Sequence, residues 1–503
     1  MLKILSAQQT RALDAYTIAH EPIASIDLME RASQAFVTWF TERFPVTDRV
    51  GIVCGTGNNG GDGLAVARLL REWSYNVQVW IVKGGTVETE DFKANHARIG
   101  AVPVTEITSA PADEIFGSCD LLIDAVFGSG LSRPVEGLYA DVIRCINQTN
   151  ATRIAVDIPS GLRADAPSQG EVVKARYTVS FQLPKMGFLF PNNAQFVGQW
   201  CLVDIGLSKE FLKQEPVSHY YLTPGAIRKR LKTRSPYDHK GTYGHALLVA
   251  GSVGKIGAAV LASRAVLRAG VGLLTVHVPT CGYVVLQGSV PEAMVLQDVS
   301  ADYTTGVAGP DKYTTIGIGP GLGQAQPTVA ALGKLLRQYT RPMVIDADAL
   351  NIVAANRELL QTVPAGSILT PHPKEFERLV GPWKDDFQRL ELQKDLAGRL
   401  NCVVILKGAH TSIATPGKTV YFNATGNPGM ATGGTGDVLT GLLTGLLAQS
   451  YDPVDAAILG VYLHGLAGDI AARELSQESL IASDLVDAFP AAFKRIRQFG
   501  KRI

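Results

Sequence analysis

Short apolar runs rich in Val and Ile alternate with amphipathic stretches along the first 205 residues. "RVGIVCG", "NVQVWIV", "DLLIDAVFG", "RIAVDIPSG", "YTVSFQ" and "QWCLVDIG" are each bounded by turn residues and predict buried strands. Stretches such as "GLAVARLLREW" lie between some of them and predict helices. This alternation implies parallel strands with helices on both faces. Upstream, residues 3 to 42 carry apolar positions at helical spacing and predict one or two helices ahead of the sheet. The strand-like runs stop near Ile205. A more polar segment with two prolines follows, and it places a domain boundary near residue 215.

A second alternation then begins. "HALLVAGS", "GLLTVHVP", "TTIGIGPG", "PMVIDADAL", "GSILTPHP" and "CVVILKG" predict strands, and "AAVLASRAVLRAG" and "TVAALGKLLRQY" predict helices. "TSIATPGKTVYFNATG" predicts a β-hairpin, and long helical patterns run from there to the C-terminus. The fold expected is two tandem α/β domains, 1–215 and 218–503, with no internal repeat relating them.

Length and composition agree: 503 residues, 46% hydrophobic and 18% charged, suit a globular protein of two or three domains. A net charge of +1 excludes a general electrostatic grip on nucleic acid or an acidic membrane. The local basic run "RKRLKTR" (228–234) is read as a solvated helix face. Six scattered cysteines, none in a CxxC pair, predict buried free thiols in a reducing compartment. Neither a signal-peptide core nor 18 uninterrupted apolar residues occur, so no membrane span and a cytoplasmic location are expected.

Candidate chemistry gathers at predicted strand exits. "VGIVCGTGNNGGDGLAVARLL" is a strand, a glycine-rich loop (55–63) and a helix. A tight turn and a phosphate cradle on a helix N-terminus both account for it. Asn58, Asn59 and Asp62 add polar side chains there. Two further strands end at Asp124 and at Asp157 with Ser160. In open α/β sheets ligands collect beyond such strand ends, and Asn, Asp and Ser oxygens suit a hard cation. The alternative makes each Asp a helix cap or turn residue.

In the second half, "VAGSVGKIGAAVLA", "IGPGLG", "LTPHPKEFERL" with His372, and "LKGAHTSIATP" with Lys407 are strand exits. The stretch "GNPGMATGGTGDVLTG" (426–441) has six glycines and one charge, Asp437. "GGTGD" is placed just before a helix, where backbone N–H groups form an anion hole. A carboxylate there repels phosphate unless it faces the acceptor. The pattern therefore fits phosphoryl transfer to a hydroxyl addressed by Asp437. The plain alternative is a glycine-rich helix start with an acid near its cap.

"NPGMATGGTGDVLTG" resembles the anion-hole motif of the ribokinase-like superfamily. Together with "HKGTYGHALLVAGS", "DADALN", "LTPHPKEFERL" and "LKGAHT", it is similar to ADP/ATP-dependent NAD(P)H-hydrate dehydratases. "GTGNNGGDGL", "DAVFGSGL" and "VDIPSGL" resemble NAD(P)H-hydrate epimerases. Order and length are similar to the bifunctional repair enzymes that fuse the two, over nearly the whole chain. The resemblance implies a Rossmann-like three-layer sandwich followed by a ribokinase-like domain. It implies epimerisation of the R and S hydrates of NADH and NADPH (NADHX, NADPHX), and ADP- or ATP-driven dehydration of the S form through a phosphorylated intermediate.

By the same resemblance, Asp437 contacts substrate and is the base. Lys407, Gly408, Ala409, His410, Thr411 and Gly436 contact the adenine nucleotide, which carries Mg2+. Ala258, Gly321 and His372 line the hydrate pocket. In the epimerase half, Asn58, Asn59, Gly60, Gly61 and Asp62 hold the substrate. So do Gly128, Ser129, Gly130, Leu131, Ser132, Arg133 and Pro134. Asp157 handles the proton, and Asn59, Asp124 and Ser160 bind K+. A homo-oligomer is expected, with no nucleic-acid or membrane partner. Two other readings are a hydroxymethylthiazole-type small-molecule kinase and a nucleotide-sensing module without catalysis.

Overall fold

The computed structural model describes residues 1–85 and 87–500. The chain divides into two compact units, Leu2–Val217 and Ser218–Ile503.

The N-terminal unit holds a seven-stranded, wholly parallel sheet. Its strands are β1 (Arg49–Cys54), β2 (Asn76–Val82), β3 (Val104–Ile107), β4 (Leu121–Ala125), β5 (Thr152–Val156), β6 (Tyr177–Phe181) and β7 (Gln199–Val203). Their order is β3-β2-β1-β4-β5-β6-β7. Side chains alternate across the sheet. Val50, Ile52 and Cys54 enter a core with Phe36, Phe40 and Leu64, while Val53 enters another with Trp80, Leu122 and Ile143. Helices α1 (Ala7–His20) and α2 (Ser25–Thr41) precede the sheet as expected, and α3 (Asn58–Glu72) follows β1. Strand β3 was not foreseen. It is short and largely exposed, so its sequence lacks the apolar run that marks its neighbours.

The C-terminal unit has strands β8 (His219–Tyr221), β9 (His245–Val249), β10 (Leu273–Val278), β11 (Met294–Gln297), β12 (Thr315–Ile318), β13 (Val344–Ile345), β14 (Ile368–Leu369), β15 (Val403–Leu406), β16 (Ser412–Ala414) and β17 (Val420–Phe422). They lie in the order β8-β17-β16-β15-β14-β13-β12-β9-β10-β11. The pairs β15–β16 and β16–β17 are antiparallel, as the predicted hairpin requires. Two expectations are corrected. Strand-like structure resumes at His219–Tyr221, a short, half-buried strand inside the polar segment. "PMVIDADAL" is not one strand: β13 stops at Ile345, and a helix, Ala347–Ala355 (α4), starts immediately.

Thr435–Ala448 (α5), Pro453–Leu475 (α6) and Ala482–Gln498 (α7) build a large core against Val344, Ile368 and Val403. By length and composition α6 is apolar enough to cross a membrane, but 72% of its most apolar window is buried inside this unit. The glycines continuing past the anion-hole motif are packing residues. A Cβ at Gly441 would fall 2.1 Å from the Ala262 carbonyl, and one at Gly445 2.5 Å from Ala269 Cβ. Gly441→Ala therefore gains about 1 kcal/mol of helix propensity and loses more to overpacking, about 1–3 kcal/mol. Thermal unfolding should show a lower Tm for that variant.

The basic run 228–234 is not merely solvated. Lys232 Nζ donates to the Gln449 and Ser450 carbonyls at 3.1 and 2.7 Å, and Arg234 donates to the Gly270 carbonyl. These cations sit at the negative ends of helices. All six cysteines are free; Cys281 is exposed and Cys201 half-buried, so burial holds for the other four.

Candidate active sites

The strand order of the N-terminal unit reverses between β1 and β4, and the crevice beyond their carboxyl ends is where such sheets bind ligands. Helix α3 starts at Asn58, earlier than the predicted loop allowed. Close packing explains this. A Cβ at Gly60 would lie 1.8 Å from the Gly55 carbonyl, and one at Gly63 2.6 Å from Ala125 Cβ. The glycines thus let α3 sit directly on the sheet. The N–H groups of Asn58, Asn59 and Gly60 belong to its first turn, where helix N–H groups lack intrahelical partners.

Asp124 is the next-to-last residue of β4 and is fully buried. One carboxylate oxygen accepts the Ser160 hydroxyl at 2.5 Å and the Val126 N–H at 3.2 Å; the other accepts the Ser160 N–H at 2.7 Å. Burial pushes its pKa up to about 6 despite those bonds. The Asn59 Nδ2 atom is buried without a hydrogen-bond partner. Exchanging the amide oxygen and nitrogen puts an acceptor in that place. Asn59, Asp124 and Ser160 then present buried hard oxygens, the donor set a potassium ion takes. The residues fit the group.

Asp157 lies just past β5 rather than within it. Its φ is +64°, unusual for a residue with a side chain. This turns the carboxylate towards β6, where it accepts from the Phe181 N–H at 3.0 Å and the Ser180 hydroxyl at 3.2 Å. Lys185 completes the group, with Nζ 2.5 Å from Asp157 and both side chains largely buried. Two more carboxyls surround this pair. Burial pushes Asp14 on α1 up to about 6, with Asp157 adding to the rise. Burial, then Asp157 and Asp14, holds Asp62 well above the carboxylate range. The 128–134 loop runs from half-buried Gly128, whose added Cβ would meet the Asn59 side chain at 3.4 Å, to exposed Ser132, Arg133 and Pro134.

In the C-terminal unit, α5 begins at Thr435, so Asp437 stands inside the helix's first turn rather than ahead of it. Gly434, with φ +92°, makes the turn into the helix. Asp437 and Gly436 face different cavities. Asp437, Ala258 and Gly321 line one of about 430 Å³, together with Lys255, Asp348 and Glu375. Gly436, Lys407, Gly408, Ala409 and Thr411 line a second of about 620 Å³, with His372 and His464. His372 thus borders the Lys407 cavity, not the one with Ala258 and Gly321. It also caps the helix Pro373–Val380, with Nδ1 accepting from the Lys374 and Glu375 N–H groups. His410 packs behind the second cavity, its Nδ1 3.2 Å from the Asn423 carbonyl.

Burial pushes Asp437 up to about 6; Asp346 and Asp348 add to this and Lys407 opposes it. The His464 imidazole meets the Thr435 carbonyl at 2.9 Å, and burial pushes its pKa down to about 4. It is therefore neutral at pH 7 and fixes the start of α5.

Sequence reasoning missed Lys185, Asp14, Asp346 and His464. Lys185 had a signal: it is the only charge in "FQLPKMGFLF". Asp346 had one too, since it follows an apolar strand as Asp124 and Asp157 do. Asp14 and His464 sit in helical patterns with no local mark.

A family model described as NAD(P)H-hydrate dehydratase matches residues 246–491, and one described as YjeF-related protein N-terminus matches 25–187. The bifunctional NAD(P)H-hydrate repair enzyme Nnr of Moorella thermoacetica is 37% identical over 98% of this chain and 97% of its own. A ribokinase-like superfamily protein from Enterococcus faecalis aligns with a TM-score of 0.50 and 27% identity, over 57% of this chain and all of that one. An ADP/ATP-dependent NAD(P)H-hydrate dehydratase from Bacillus subtilis, crystallised with ATP and Mg2+, is 34% identical over 55% of this chain and 98% of its own, with a TM-score of 0.49. Collinear with such a relative from end to end, the chain belongs to the family of bifunctional NAD(P)H-hydrate repair enzymes.

Proposed function

We propose that Asp437 is the general base of the dehydratase half and that the Asp157–Lys185 pair moves the proton in the epimerase half. The chain is a bifunctional enzyme that epimerises the hydrates of NADH and NADPH and dehydrates the S form with ADP or ATP. The observation that carries the assignment is that neighbouring residues, Gly436 and Asp437, face two cavities. The glycine amide and Lys407 serve the phosphate donor in one. The carboxylate serves the hydroxyl acceptor in the other.

Asp437 takes the proton of the ring hydroxyl as its oxygen attacks the terminal phosphorus, and the nucleotide leaves one phosphate shorter. Phosphorylation makes that oxygen a good leaving group. The ring nitrogen lone pair then expels phosphate, and the neighbouring carbon loses a proton, restoring the dihydropyridine. Lys407 neutralises charge on the transferring group. Magnesium travels with the nucleotide phosphates.

In the other half, the α3 N-terminus holds the hydrate's phosphate groups, and the 128–134 loop closes over them. Asn59, Asp124 and Ser160 would hold potassium, which would supply a fixed positive charge to the site. The buried Asn59 amide supports this. Replacing K+ by tetramethylammonium should slow R-to-S conversion and leave S-hydrate dehydration unchanged; equal rates of epimerisation in both salts would remove the ion from the account. The free, mostly buried thiols support a cytoplasmic setting, and homo-oligomerisation is part of the same proposal.

A further inference from the structure

Asp346 stands at the exit of β13, and no step above uses it. Its carboxylate is 2% exposed, and elements from three places converge on it. One oxygen accepts from the Lys407 ammonium at 3.1 Å; the other accepts the Thr440 hydroxyl at 2.7 Å. Lys407 comes from the exit of β15. Thr440 lies on α5, one turn past Asp437. The backbone at Asp346 is equally fixed. Its N–H donates to the Ile318 carbonyl at 3.1 Å, and a Cβ at Gly319 would fall 1.8 Å from its own carbonyl oxygen. Ala347, next in the chain, has φ +47°, a conformation that persists only where its surroundings enforce it. A Cβ at Gly436 would lie 3.4 Å from Lys407 Nζ and 3.9 Å from Asp346 Oδ2, so the pair borders the anion hole itself.

A tie between strand and helix needs no charge, because a neutral amide oxygen also accepts the Thr440 hydroxyl, if less strongly than a carboxylate. Burying a carboxylate is costly unless a cation compensates it. The charge makes sense as a partner for Lys407. We propose that Asp346 is a positioning residue of the phosphoryl-transfer site, holding the Lys407 ammonium and the first turns of α5 in one geometry before the nucleotide arrives. This rests on the dehydratase reading above and deepens it.

Asp346 also acts on Asp437 through space. The charged groups facing Asp437 are Asp346 from the exit of β13, Asp348 from α4 and Lys407 from the exit of β15, with Lys255 and Glu375 lining the same cavity. Removing the Asp346 charge favours the ionised form of Asp437. The acid limb of the rate profile then moves to lower pH, a shift that a purely structural role does not produce.

Asp346→Asn keeps the size and the acceptor for Thr440. With Mg-ATP and S-hydrate saturating, kcat should fall at least about tenfold, the scale of one hydrogen bond to a charged group. The acid limb should move down by about half a unit or more. Lys407→Met should cost much less in the Asp346→Asn background than alone, because the two residues act as a unit. An unmoved limb together with additive losses would overturn the proposal. If Asp346→Asn does not fold, Thr440→Val decides: a kcat loss of about fivefold supports the tether, and turnover within twofold of wild type rejects it. Nucleotide consumption is followed alongside dihydronicotinamide recovery. A wild type that consumes nucleotide without recovering dihydronicotinamide sinks the repair reading, yet still reports on Asp346.

Discussion

Asp437→Asn should lower S-hydrate dehydration by about 10²–10⁴-fold, the usual contribution of a positioned general base. Nucleotide should still bind, because the Gly436 amide and the 407–411 loop are untouched. Affinity should rise slightly, since a charge beside the phosphates has gone. A residue that only supports the helix start predicts a different pattern, with at most about 1–2 kcal/mol of stability lost and near-normal turnover. The pH profile adds a second reading. Burial raises the Asp437 pKa to about 6, and the base works only when ionised. Turnover should therefore be full well above pH 6, reach half at that value and fall about tenfold per unit below it. The variant should lack this limb. Turnover above half of wild type at saturating nucleotide would end the assignment.

Asp157→Ala should abolish R-to-S conversion, by about 10²-fold or more, and leave S-hydrate repair intact. The buried Lys185 complicates a single substitution. Breaking such a pair from one side leaves an unpaired buried charge and costs about 3–5 kcal/mol. The double variant Asp157→Asn with Lys185→Met removes both charges, so its Tm should recover towards wild type. Epimerisation should not recover. A double variant that epimerises normally would take the pair out of the mechanism, and loss of both activities in the single variant would mark a folding defect.

Strands with apolar runs were legible because burial on both faces of a parallel sheet demands them. Val104–Ile107, His219–Tyr221 and Met294–Gln297 are only partly buried and carry no such run. "DADAL" misled for another reason: its alanines and leucine suit a helix as well as a strand, and Ala347 turns the chain at once. The polar residues of the candidate sites were visible where they followed a strand. Their partners were not. Lys185 reaches Asp157 from 28 residues on, and Asp346 meets Thr440 across 94. Such pairings come from tertiary packing, and periodicity carries no trace of them. The glycines had two uses that sequence cannot separate. Gly60 and Gly441 are needed for close approach of backbones, whereas Gly436 lines the Lys407 cavity.

One chain restores both hydrates, with two sites acting in series. The most direct measurement mixes the enzyme with an equilibrium mixture of R and S hydrates and Mg-ATP or Mg-ADP, and follows dihydronicotinamide absorbance to completion. Wild type should recover all of the hydrate, with one phosphate released per dihydronicotinamide formed. The Asp157–Lys185 double variant should recover the S fraction quickly and the remainder only at the spontaneous rate. Accumulation of a phosphorylated hydrate without recovery of absorbance, or recovery that does not need nucleotide, would contradict the account.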